Sequence, residues 1–128
     1  MANRIEITKL QSGSRYIVIH VYLESDGASG NVTDLVLLDP ATDGGSKYVL
    51  EAATWNFSGF NGLIHAEELV DDKPLWVLPA DGAGRQDFTD YGGVLDRSTE
   101  GTGRILFSTK GFPAGSIGSA IIKARVHS

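Results

Sequence analysis

The stretch 47–62, KYVLEAATWNFSGFNG, constrains the fold of this chain more than any other. It is a long run that carries two large rings, Trp55 and Phe57, just before an abrupt glycine break. Read with the two-residue period of a strand, Val49, Glu51, Ala53, Trp55 and Phe57 share one face. Tyr48, Leu50, Ala52, Thr54 and Asn56 share the other. The first face is mostly apolar, and small Ala52 and Ala53 let neighbouring side chains approach closely. Leu-Glu-Ala-Ala at 50–53 would also suit a helix. The Thr-Trp-Asn-Phe continuation, its aromatic content, and the following Gly59 and Gly62 argue for a strand instead. Trp55 is expected in the core, with a ligand-stacking platform as the competing role.

The same period recurs along the chain. Residues 4–10 alternate Ile5 and Ile7 with Arg4, Glu6 and Thr8, which predicts a half-buried strand near an edge. In RYIVIHVYLE, 15–24, Ile17, Ile19, Val21 and Leu23 should face the core. Tyr16, Val18, His20 and Tyr22 form an amphipathic opposite face. LVLL at 35–38 reads as a strand buried on both sides, ended by Asp39-Pro40, with a loop over 41–46. Residues 59–62 read as a turn and 63–68 as a short strand, with a helical turn around 66–69 as the alternative. Pro74 and Pro79 bracket a short rim strand, LWVL. The segment 80–87 reads as a soft loop, 88–93 is ambiguous, and 94–103 reads as mostly polar loop. RILFST at 104–109 is a strand, and 110–118 a long hairpin loop. In the last strand, 119–127, Ala120, Ile122, Ala124 and Val126 face one way. Lys123, Arg125 and His127 face the other, which suggests an exposed face or a charge-guarded edge. About eight strands with no long helix predict an all-β fold, a single domain over 1–128. Its form is two packed antiparallel sheets, a β-sandwich, with the jelly roll among the topologies it admits.

Composition narrows function mainly by exclusion. A chain of 128 residues buries about two-thirds of its unfolded surface and needs no staple. There is no cysteine, hence no disulfide scaffold, thiolate metal site or cysteine nucleophile. The net charge of -5, from 16 acids and 11 bases, is scattered and speaks against a nucleic-acid partner. No run of about eighteen apolar residues predicts a membrane span, and MANRIEITKL lacks the apolar block of a signal peptide.

No catalytic constellation stands out. His20, His65 and His127 are far apart and show no metal-ligand spacing; His20 is expected to be a satisfied core or interface residue. Gly115-Ser116-Ile117-Gly118 lacks the strand–elbow–helix context of a nucleophile. Asp87, Asp90 and Asp96 could pair for glycoside hydrolysis, but turn capping and loop solubility account for them. A loop Ca2+ site on Asp26, Asp34 or Asp43 lacks the D-x-D-x-D-G pattern. The expectation is a non-enzyme with no cofactor and no metal.

Four blocks, YIVIHVYLESDGASG, WNFSGFNG, LWVLPADG with DFTDYGGVLD, and RILFSTKGF with GSAIIKARV, span most of the chain. In layout they resemble a small virion structural protein of tailed bacteriophages. The resemblance implies a β-sandwich or jelly-roll module that decorates or cements the capsid, or joins head and tail parts. Its partners would be the major capsid protein or neighbouring virion proteins, often with the module as a small homo-oligomer. It would be made in the host cytoplasm and end in the virion, and no catalytic residues carry over. Candidate protein-contact residues are Ile5, Ile7, Tyr22, Trp76, Tyr91 and Phe112, with core packing as the competing role for each aromatic. A carbohydrate-binding β-sandwich module is the alternative; it requires Trp55 or Trp76 in a shallow exposed groove.

Overall fold

The strict alternation of β2, Tyr16–Glu24, sets the inside of the molecule. Ile17, Ile19, Val21 and Leu23 are almost completely buried, and the residues between them are half-buried. The computed structural model describes residues 3–13, 15–26, 30–69, 72–78, 81–89, 92–94, 101–112 and 115–127. Within them run β1 (Arg4–Ser12), β2, β3 (Leu35–Leu38), β4 (Lys47–Ser58) and β5 (Asn61–Glu68). Then come β6 (Lys73–Leu78), β7 (Asp81–Asp87), β8 (Gly101–Lys110) and β9 (Ile117–His127). One helical turn, α1 (Pro40–Asp43), follows β3.

The strands form two antiparallel sheets, ordered β1-β2-β9-β4-β7 and β3-β8-β5-β6. The pairs β2·β9, β3·β8, β4·β7 and β5·β6 nest inside one another. The chain from β2 to β9 is therefore one long hairpin, folded back at β5–β6 and rolled so that alternate pairs fall in opposite sheets. That is a jelly-roll β-sandwich. The pairs β4·β9 and β5·β8 stitch successive wraps together. β1 stands outside the nesting and pairs with β2 alone.

The organising stretch is a strand, but its alternation slips once. A bulge at Glu51 shifts the register against β9 between Leu50 and Ala52. Tyr48 and Leu50 face the core before it; Ala53, Trp55 and Phe57 do so after it. Val49 is buried as well, beneath Gly93. The 92–94 segment is held there by paired backbone bonds between Leu50 and Val94, both 2.8 Å.

Other boundaries differ for identifiable reasons. The expected loop at 80–87 is β7, which pairs residue for residue with β4 from Ala52–Asp87 to Ser58–Asp81. Its glycines and alanine hide a strand from pattern reading, yet the tight approach needs them: Gly84 lies against the Trp55 indole, where a Cβ would collide. Residues 40–43 form a helical turn because Asp39 caps it: its Oδ1 accepts from the Ala41 N–H at 3.0 Å, and Pro40 stands at the first helical position. β5 begins inside the expected turn, and Ala66 stays in its ladder with β6 and β8 rather than turning helical. β1 is an edge, as expected, and Ile5 and Ile7 are 37% exposed there. β9 is no edge; it lies between β2 and β4 at the sheet centre.

The two sheets meet through an aromatic knot. Phe57 stacks on Phe60 at 4.6 Å; Phe112 meets Phe60 edge-on at 4.7 Å, and Phe107 meets Phe57 at 6.2 Å. Phe57→Ala should therefore lower unfolding free energy by about 3–5 kcal/mol, read as a fall in urea midpoint at unchanged slope.

Candidate docking surface and a buried histidine cluster

β1 is an edge of one sheet and β3 an edge of the other, and both border the same side of the sandwich. Ile5 and Ile7 stand opposite Leu23 and Val21, so they point to the core-facing side of their sheet. Each remains 37% exposed. Ile5, with Asn3, Asn31, Val32, Asp34 and Leu35, lines an open groove of about 600 Å3. The ends of this side are clasped. Asn3 donates to the Gly30 carbonyl and accepts from the Asp26 N–H, both at 2.9 Å. Lys9 forms an ion pair with Asp43 of α1. Between the clasps the outer edge of β1 pairs with no strand among the described residues.

The other candidate contact residues are not gathered there. Tyr22 points to the opposite face of its sheet, where its hydroxyl donates to Glu24 at 3.1 Å and Arg4 lies 5.7 Å above its ring. The hydrogen bond to Glu24 is the main cause holding its phenol above the ordinary tyrosine value. Trp76 is 37% exposed on β6, at the far side of the sandwich, and packs edge-on against Phe88 at 4.7 Å. Phe112 is a correction: it is 6% exposed, packs on Phe60, and donates its N–H to Asn31 Oδ1 at 3.0 Å. It is a core residue. Tyr91 lies outside the described residues. Trp55 is in the core, as expected.

Charge on the outer faces is organised more than its spacing suggests. Lys123 and Arg125 flank the buried Glu51 carboxylate at 3.7 and 3.4 Å, and Lys123 also lies 4.7 Å from the Tyr16 ring. Those two cations serve a buried acid rather than guard an edge. His20 is half-buried on the outer face, not in the core, beside a shallow hollow of about 200 Å3 with Thr54, Asn56 and Ile121. Asp87 accepts from the Thr89 hydroxyl at 2.6 Å and its N–H at 2.9 Å, which holds its carboxyl below the ordinary value. It acts as a turn cap, and Asp90 and Asp96 lie outside the described residues.

His65 was not singled out by its sequence context. It is 5% exposed on β5. Its Nδ1 lies 2.8 Å from Asp72 Oδ2 and its Nε2 lies 3.0 Å from Ser108 Oγ. Asp34 Oδ1 is 3.7 Å from the same Nε2, and the Asp34 N–H donates to Ser108 Oγ at 3.0 Å. Positions 34, 65, 72 and 108 are brought together only by the order β3-β8-β5-β6.

No helix among the described residues is long and apolar enough to cross a membrane. No protein-family model matches the chain, and no curated protein is significantly similar to it. Core and surface candidates separate by mutation: Phe112→Ala should cost about 3 kcal/mol or more, while Ile7→Ser should stay within about 0.5 kcal/mol, both by urea unfolding.

Proposed function

We propose that this chain is a structural docking module, and specifically a virion protein of a tailed bacteriophage that decorates or cements the major capsid shell. The observation that carries the reading is the open side of the sandwich: a nine-residue edge strand whose outer edge pairs with no strand among the described residues, beside a partly apolar groove. A partner strand laid along β1 would gain ladder hydrogen bonds, with Ile5 and Ile7 supplying alternate side-chain contacts. Repeated over a symmetric shell, modest contacts of this kind add up by avidity. The layout resemblance and the jelly roll, an architecture that viral capsid domains share, support the same reading by analogy of fold. A docking role requires no catalytic group.

A glycan-binding reading has one feature in its favour, the half-exposed indole of Trp76. The hollow beside it is lined by Pro74, Leu75, Trp76 and Val77, which give a sugar a stacking face but few hydrogen-bond partners. It ranks second.

The test is cryo-electron microscopy of density-banded phage particles from cells that make the chain. Copies at regular positions on the shell, contacting it through β1, are expected. Ile7→Arg should reduce shell occupancy roughly tenfold or more while leaving the melting temperature unchanged. Absence from banded particles, together with tryptophan fluorescence that responds to glycans, would count decisively against the capsid role.

A further inference from the structure

We infer that Nε2 of His65, the carboxylate of Asp34 and the hydroxyl of Ser108 form a site for a first-row divalent cation, Zn2+ in preference to Mg2+ or Ca2+, with Asp72 orienting the imidazole from behind. The sequence reading expects no metal; the geometry points the other way.

Asp72 Oδ2, 2.8 Å from Nδ1, can only accept, so the ring proton sits on Nδ1. In the neutral ring, the form that binds a metal, the Nε2 lone pair then faces Ser108 and Asp34. A carboxylate on the far nitrogen of a histidine is the arrangement that fixes metal-binding imidazoles and raises their basicity. Donors about 2.0–2.1 Å from a tetrahedral ion stand roughly 3.3 Å apart. The observed separations from Nε2, 3.0 Å to Ser108 Oγ and 3.7 Å to Asp34 Oδ1, bracket that value. The ligand atoms of Asp34, His65 and Asp72 all lie within 4.8 Å of one another. Two acids beside one buried imidazole also make a cation electrostatically welcome. The imidazole ligand selects for zinc-like ions over magnesium and calcium.

The same hydrogen bonds could be read as a Ser–His–Asp acyl-transfer relay. Two features oppose it. The Asp34 carboxylate puts a second negative charge beside the Ser108 hydroxyl and the His65 ring, unfavourable for a developing oxyanion, and the Asp34 N–H is already bonded to Ser108 Oγ. A cation turns the first of these from a penalty into a ligand.

The ion would tie together four separate pieces of one sheet: the run into β3, strand β8, strand β5 and the run into β6. Asp34 also lines the groove beside β1, so the ion would fix one rim of that groove. The site stands whether or not the groove binds a capsid.

The test uses the full chain without an affinity tag, titrated with ZnCl2 by calorimetry and with CoCl2 by visible absorption. MgCl2 and CaCl2 serve as comparison arms. One saturable Zn2+ site, a rise in melting temperature with Zn2+, and a tetrahedral-type Co2+ band are expected. Asp34→Asn suits its backbone, since φ is +54° and asparagine tolerates that region; it should weaken Zn2+ at least tenfold. Asp72→Asn should weaken it ten- to a hundredfold by loosening the ring. Asp87→Asn, remote from the cluster, should leave affinity unchanged. On the unmodified chain, NMR should show the His65 ring resonances moving with Zn2+, which keeps the test valid even where a variant misfolds. No saturable binding at millimolar Zn2+, affinity unchanged in Asp34→Asn, or perturbation of His20 instead of His65 would each overturn the site.

Discussion

The stacked rings of Phe57 and Phe60 are the contact on which the roll depends. They sit where the chain leaves one sheet and enters the other: Phe57 near the end of β4, Phe60 in the two-residue link to β5. Phe107 closes on them from the opposite sheet, and Phe112 from the β8–β9 link, which crosses between the sheets instead of closing the hairpin expected over 110–118. So many rings fit only because the strands beneath are stripped. A Cβ on Gly62 would run into Phe57 and Phe107, and one on Gly118 into Phe57 and Phe60. The glycines that looked like turn punctuation are therefore also packing residues. Aromatic stacking at this crossing fixes the register of β4 and β5, and the nested pairing follows outward from it.

A roll of two layers leaves two outer faces to be managed, and each carries a charge network that is at least partly buried. On the larger sheet the Glu51 bulge turns a carboxylate toward Lys123 and Arg125 at the sheet centre. On the smaller sheet Arg104 holds Glu67 through two hydrogen bonds of 2.9 and 3.2 Å and approaches Asp39 at 3.7 Å. The His65 cluster belongs to that same face. The exposed partners are well hydrated and their ion pairs add little, whereas Glu51, buried between its two cations, is the group whose charge would suffer from losing a partner.

How much of this was legible depends on what each segment uses to hold itself. β2 and β9 rely on alternating aliphatic side chains, and the alternation reads directly. β7 relies on backbone pairing beneath a tryptophan, so its glycines read as loop. α1 rests on a cap and a proline, a local signal that Asp39-Pro40 carried but that looked like a simple stop. Ile5 was readable as an edge residue and stands on an edge strand, in a groove that does not gather the aromatics around it. Phe112 and Trp76 show why: whether an aromatic is anchor or core depends on which strand lies over it, and strand order is not local information. The His65 cluster is the extreme case. Asp34 and Asp72 look like loop solubilisers and Ser108 like an ordinary strand residue until β8 and β5 are placed side by side.

β1 is the strand that the roll does not explain. The nested pairs close without it, and it adds one ladder with β2 while covering Ile5 and Ile7 only in part. Ordering a residue costs about 1–2 kcal/mol in backbone freedom, and β1 orders nine of them with only partial burial in return. Long exposed edges also invite unwanted pairing, and proteins usually shorten, cover or bend them. Here a bulge at Leu10, the Lys9–Asp43 ion pair and the Asn3 bonds restrain the ends, while the Ile5–Ile7 segment between them stays straight and open. In the docking role proposed for this chain, an edge restrained at both ends and open in the middle would steer a partner strand to the Ile5–Ile7 segment.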